Sequence, residues 1–380
     1  MKERSTLAFT GDIGFDKYMS GRYSDEKLVD GRLLDFLRSA DHVIANVEGP
    51  LSRLERQVPQ GGVASMMHSM DPEVSGFLKS IKADIWNICN NHIMDAGPDG
   101  VRDTLEEAAK NGALTLGAGM NLSEAMRPVI IPEAGGIGLI GVGYRRGCKP
   151  ATDDYPGCFL WNETELIRKA IEDVKSTCRW CIIVSHGGEE FTSLPSPYTR
   201  DRYISFLEMG ADAVVSHHPH VPMNYETFPD GKAVFYSLGN FVFDTDYQRA
   251  QFNTDKGVLL KLFFTEDSFS FEAAGLLIDR NTERVLYAQL PDIFTNVQAD
   301  EYERLAPLSA KAFIAATKRQ QMFMNPAKFK AFTEQDWAAH FDEEKRSGRV
   351  PGEALDFRII VPFSKKAETG GWKNSSLEKV

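Results

Sequence analysis

Cysteine is scarce in this chain of 380 residues: Cys89, Cys148, Cys158, Cys178 and Cys181 are the only five. An odd number in a long chain fits reduced thiols and argues against a disulfide framework. Cys178-Arg179-Trp180-Cys181 has the CxxC spacing. In redox sites, however, that motif opens a helix whose dipole lowers the thiol pKa. Here it follows a predicted helix and enters a strand, so both thiols read as buried small hydrophobes. Runs near 18 consecutive apolar residues are also missing, so no helical membrane span is expected. The start, "MKERSTLAFTGD", has neither an apolar core segment nor a small-residue cleavage site, and reads as cytoplasmic; a chain trimmed of a leader would begin in the same way. Positive charge is in deficit, with 43 Lys and Arg against 54 Asp and Glu, a net charge of -11 and a pI near 5.3. That balance speaks against an extended basic face for nucleic acid. A polyanion can still bind where metal ions or a few arginines reverse the local field. The glycines of "GAGMNLSEA" and "GGIGLIGVG" lack the loop, helix and downstream acid of a dinucleotide fingerprint, and are assigned to turns and close packing. No internal repeat is present.

The chain does have a hydrophobic content of 42%, enough for a substantial core. Strand-like runs at 6–10, 42–47, 84–89, 138–144, 181–186, 212–217 and 233–238 alternate with helical periodicity near 26–39, 72–80, 99–111, 163–177 and 199–209. This alternation predicts an α/β domain with a largely buried sheet. After Asn240 the runs "GVLLKLFF", "SFSFEAAGLLI" and "RVLYAQL" look antiparallel, and 299–346 reads as helical. The expected division is a domain over 1–290, a mainly helical extension over 291–363, and a polar tail over 364–380.

The polar residues fall where the apolar runs stop. Asp12 follows "LAFTG", Glu48 follows "VIAN", Asn91 and His92 follow "WNIC", His186 ends "IIVS", and His217, His218 and His220 follow "AVVS". In open α/β sheets ligands gather beyond the carboxyl ends of the strands. Separately, each has an ordinary explanation: Asp12 could form an Asx turn or a cap, Glu48 a solvated turn, and "NNH" a polar loop. Three histidines within four residues are harder to explain by packing. A set of carboxylates, an amide and imidazoles suits Mn, Fe or Zn better than Ca or Mg.

"TGDIG", "NVEGPLS", "NNHIMDAG", "HGGEEF", "SHHPHV" and "YSLGNFVF" resemble, in order and spacing, the CapA family of poly-γ-glutamate capsule biosynthesis proteins, which is similar to the calcineurin-like metallophosphoesterases. The resemblance covers about residues 5–265. It implies a metallophosphoesterase-like α-β-β-α sandwich with a mostly helical C-terminal extension, and one or two divalent metal ions at the strand ends. By the same resemblance, Asp12, Glu48, Asn91, His186, His218 and His220 are the metal ligands, with Glu48 bridging. His92 is the acid that protonates the leaving group and Asp95 orients it, while a metal-activated water is the nucleophile. The implied partners are an anionic small molecule or polymer and capsule-synthesis proteins.

One departure concerns the metal site itself. Gly14 stands where the resembling enzymes carry a histidine, which removes a ligand; His217 and Asp16 are the nearby substitutes. Ser216 replaces the usual Gly, and Phe191 a common Tyr. Glu190 and Asn240 are candidates for orienting histidines, and Arg145 and Arg146, with Lys149, for steering an anion; turn chemistry and a solvated surface are their ordinary readings. Three functions suit these residues: a phosphoesterase-type hydrolase, an accessory protein of polymer synthesis or export with little or no turnover, and a hydrolase of the γ-glutamyl amide.

Overall fold

A computed structural model describes residues 4–56, 66–144 and 147–346. Among these, two sheets pack face to face with helices on both outer sides. The first sheet has a parallel half of β1 (Ser5–Gly14), β2 (His42–Val47), β3 (Ala83–Asn87) and β4 (Leu114–Leu116). Its antiparallel half is β14 (Lys256–Phe264), β15 (Phe269–Asp279) and β16 (Arg284–Ala288), joined to β1 through β14. β13 (Asn240–Phe243) also lies parallel to β1. The second sheet orders β11 (Tyr225–Thr227), β12 (Ala233–Phe235), β10 (Ala213–His217), β9 (Trp180–His186), β7 (Ile137–Gly143) and β6 (Val129–Ile131). β5 (Ala118–Gly119) and β8 (Gly157–Cys158) form a separate pair.

Strand alternation sorts the side chains into layers. Leu7 and Phe9 of β1 meet Ile182 and Val184 of β9 and Val215 of β10 in the core between the sheets. Ala8, between Leu7 and Phe9, turns instead to the outer face, which the helices Gly31–Arg38, Val74–Ser80 and Gly97–Lys110 cover. Cys181 and Ile183 turn outward under the helices Thr164–Lys175 and Pro197–Glu208. The α-β-β-α sandwich expected from the sequence is the observed architecture. Caps mark helix starts in the usual way: Asp30 accepts from the Arg32 N–H, and Ser196 from Thr199 with Pro197 in the first turn.

The antiparallel runs after Asn240 and the helices after 299 are also present, as Ala299–Met324, Pro326–Phe329 and Glu334–Arg346. The first of these docks through Tyr302, Ala306 and Ala310 on Leu194. Among the described residues no helix is long and apolar enough to cross a membrane. Because β1, β2 and β3 run parallel, as do β7, β9 and β10, the carboxyl ends within each sheet share an edge. The polar residues singled out above lie there.

Candidate metal centre

One row of side chains crosses the first sheet. The register pairs Asn240 of β13 with Asp12 of β1, Asp12 with Asn46 of β2, and Asn46 with Asn87 of β3. Asn87 Nδ2 donates to Asn46 Oδ1 at 2.8 Å, and Asn46 Nδ2 to Asp12 Oδ1 at 2.8 Å. All four residues are fully buried. Asp12 is thus held by one oxygen, and among the described residues its other oxygen has no hydrogen-bond partner.

Glu48 lies one residue beyond β2, and among the described residues neither of its buried oxygens has a hydrogen-bond partner. Its Oε1 stands 3.6 Å from His220 Nε2, 3.7 Å from His186 Nε2 and 4.0 Å from His92 Nε2. His220 Nδ1 is 3.2 Å from Asp12 Oδ2 and 3.1 Å from Asn240 Oδ1, and Asn240 is itself anchored through its Nδ2 to Gln248 and Thr254. Two compact ligand groups result, Asp12–Glu48–His220 and Glu48–His186–His218, each with ligand atoms within 4.8 Å of one another. Asn91 Oδ1, 2.9 Å from His186 Nε2, borders the second group.

Burial costs an unpaired carboxylate several kcal/mol. Around Glu48, His186 Nδ1 and His218 Nδ1 are buried without a hydrogen-bond partner among the described residues, and the buried Asp12 Oδ2 faces His220 Nδ1. The electrostatics match that picture. Burial alone would lower the His220 pKa, but Glu48 and Asp12 outweigh it and raise it to about 10, so without metal a proton is held among the three. Burial lowers His218 to about 4 and pushes His186 well down, leaving neutral imidazoles suited to ligation. This donor set fits one or two divalent ions of the Mn, Fe or Zn kind.

His92 is held differently. Its Nδ1 is 2.7 Å from Asp95 Oδ2, which also accepts the backbone N–H of His68 at 2.8 Å. The Asn90 side chain ties this turn to the end of β2 by donating to Val47 O at 2.7 Å and accepting from the Gly49 and His92 N–H groups. Nε2 of His92 is left facing Glu48.

Neither substitute for the missing first-motif histidine joins these groups. One ring nitrogen of His217 lies 2.9 Å from Thr10 O and the other 3.3 Å from Ser185 O, tying one sheet to the other. Asp16 is taken by Arg56 and by His68 Nδ1. A Cβ on Gly14 would lie 2.7 Å from the Phe243 ring, so an aromatic wall fills that position, with the ring 5.2 Å from that of His220. Phe191 stacks on the other side of His220. Glu190 accepts from Tyr247 at 2.8 Å and from Gln320 of the long C-terminal helix at 2.7 Å, which brings the extension to the rim. Arg145 and Arg146 lie outside the described residues.

His68, Asn46 and Asn87 escaped the sequence reading. His68 packs edge-on against His92 with ring centroids 4.2 Å apart; burial and His92 together lower its pKa to about 4. It sits in "SMMHSM", with no strand end to mark it. The asparagines did leave a signal: each interrupts a run that is otherwise apolar.

The model of a family described as bacterial capsule synthesis protein PGA_cap matches residues 6–245. The PGA biosynthesis protein CapA of Bacillus subtilis (strain 168) is 30% identical over 253 residues, 65% of each chain. The capsule biosynthesis protein CapA of Bacillus anthracis is 27% identical over 66% of this chain and 62% of its own. A probable polyglutamine synthesis accessory protein of Mycobacterium tuberculosis is 25% identical over 64% of this chain and 68% of its own. The match thus spans slightly less than two thirds of the length of the two Bacillus proteins. A crystal structure from Thermus thermophilus aligns at 11% identity over 70% of this chain and 98% of that one, with a TM-score of 0.38.

Proposed function

Because this chain belongs to the bacterial capsule synthesis protein PGA_cap family, we propose that it serves the making of an anionic capsule polymer of the poly-γ-glutamate kind, as a divalent-metal hydrolase. The observation that carries this reading is Glu48: a fully buried carboxylate without donors, shared by two ligand groups. Asp12, Glu48 and His220 would hold one ion, and Glu48, His186 and His218, with Asn91, the other. When bound, such ions supply Lewis acidity toward an anionic substrate and an activated water near neutral pH.

The chain's own residues do the rest. Asp95 accepts the Nδ1–H of His92, fixing the tautomer and ring orientation. His92 Nε2 then faces the pocket and can carry a proton to the leaving atom. The row from Asn87 through Asn46 keeps one Asp12 oxygen occupied, so the other is aimed at the cluster. Arg145 and Arg146 are proposed to steer the anion, and residues 291–346 of the 291–363 extension to help wall the site beside the 1–290 domain; residues 347–363 and the 364–380 tail lie outside the described residues. The aromatic wall at Gly14 favours a second reading, an accessory protein with slight turnover, because it leaves one ligand group with three side chains.

Protein loaded with Mn²⁺ should be assayed on an aryl phosphate and on poly-γ-glutamate, beside His92→Ala. Phosphate release lost in the variant supports the phosphoesterase. Release of glutamate moves the activity to the γ-glutamyl amide, and polymer binding without turnover supports the accessory reading. Full activity in His92→Ala would remove the proposed acid.

A further inference from the structure

Behind the metal-ligand cluster lies a group of side chains that the proposed hydrolysis does not use. Cys89, Cys148 and Cys158 are all free and buried. A Cβ on Gly143 would fall 2.7 Å from Cys148 Sγ and 2.9 Å from Cys89 Sγ, so two sulfurs converge over a β7 residue that has no side chain. Gly143 is also the register partner of His186. Cys158 completes the group from β8. Cys158 N–H donates to Lys149 O at 2.8 Å, which lays it beside Cys148, and the neighbouring Cys148 and Cys89 thiols lower its pKa to about 5, the thiolate character that thiol exchange requires. Cys158 also lines an open cleft of about 370 Å³ with Leu122, Pro150, Thr152 and Glu163, a route for a small reagent.

Both ends of this loop rest on the turn that carries Asn91. Cys158 Sγ lies 3.4 Å from Asn90 O. A Cβ on Gly147, next to Cys148, would fall 2.7 Å from Asn91 Cβ. We propose that Cys148 and Cys158 are a reversible redox pair, and that closing their disulfide displaces the Asn90–Asn91 turn. The oxidant is a low-molecular-weight disulfide. The Cys158 thiolate attacks one of its sulfurs and expels one small thiolate. Cys148 then loses its proton and attacks Cys158 Sγ, expelling the second. The protein dithiol gives up two electrons and two protons, and the small disulfide becomes two thiols. This pair, rather than the CxxC at Cys178 and Cys181, is the redox site; burial pushes the Cys181 thiol up.

The full chain should be equilibrated across mixtures of reduced and oxidised glutathione, alkylated, digested and mapped by mass spectrometry, with hydrogen exchange read in parallel. The expected product is two hydrogens lighter, with Cys148 linked to Cys158 and Cys178 and Cys181 still alkylated. The peptide covering residues 88–97 should lose protection on oxidation and regain it with reductant, and Cys158→Ser should show neither change. Alkylation of both Cys148 and Cys158 at the oxidising limit would overturn the pair, as would a bridge elsewhere or a persistent glutathione adduct. A bridge that leaves 88–97 protected would overturn the coupling. Neither readout needs bound metal or turnover, so the result is independent of the hydrolytic reading.

Discussion

On the first sheet, the site residues are positioned by other side chains: Asn87 holds Asn46, and Asn46 holds Asp12. On the second, they are positioned by backbone conformation. His218 has φ +99° and His220 φ +58°, and Gly188, just after His186, has φ +115°. A non-glycine residue in that region costs of order 1–3 kcal/mol and persists only where its surroundings impose it. One half of the site is therefore a property of strand register, and the other of strained turns. Glu48 joins them, since it lies within 4 Å of imidazoles from both sheets.

The largest break should come at that joint. Glu48→Ala removes the only residue common to both ligand groups, and Mn²⁺ affinity by calorimetry should fall by more than about 100-fold, beyond the usual cost of disturbing residues behind a ligand. Next comes His92→Ala, which should spare metal content while lowering turnover by about 10²- to 10⁴-fold in a steady-state assay. Asn46→Ala tests the side-chain half: leaving Asp12 Oδ1 and Asn87 Nδ2 unpaired should weaken Mn²⁺ binding about 10- to 100-fold and cost about 1–3 kcal/mol in denaturant unfolding.

Smaller still is a pH effect from the imidazole half. The His220 pKa is raised to about 10 in the metal-free protein, so throughout the neutral range an incoming ion must displace a proton there. Affinity should consequently fall by about tenfold for each unit of decrease between pH 8 and pH 6. His218, lowered to about 4, is already neutral in that range and adds no slope. A flat profile would place the proton elsewhere. The smallest effect is expected from Gln320→Ala at the rim, a few-fold change in KM with metal content unchanged, because it removes only the hydrogen bonds to Glu190 and Tyr247, of about 1 kcal/mol each.

Much of this was legible in the sequence because strand ends are. Periodicity placed β2 at the observed residues and the helix Thr164–Lys175 within two residues at each end, and parallel topology then carried Asp12, Glu48, His186, His218 and His220 to one edge. The share of each sheet was not legible. His217 and His218 are neighbours in sequence, yet the ring of His217 binds Thr10 O while its neighbour faces the pocket, a choice made by the reversal of φ at His218. His68 comes from a segment without periodicity, and Gln320 reaches Glu190 across 130 positions. Such long-range neighbours follow from packing alone. Gly14 was legible as a position without a side chain, but only the structure reveals the Phe243 ring beside it.

The most direct test is metal content per chain, by elemental analysis of protein purified without chelator, wild type beside Glu48→Ala. Two ions in the wild type and essentially none in the variant are expected, because the two ligand groups share that one carboxylate. No metal in the wild type after incubation with Mn²⁺, Fe²⁺ and Zn²⁺ would contradict the dinuclear site, as would equal occupancy in both proteins.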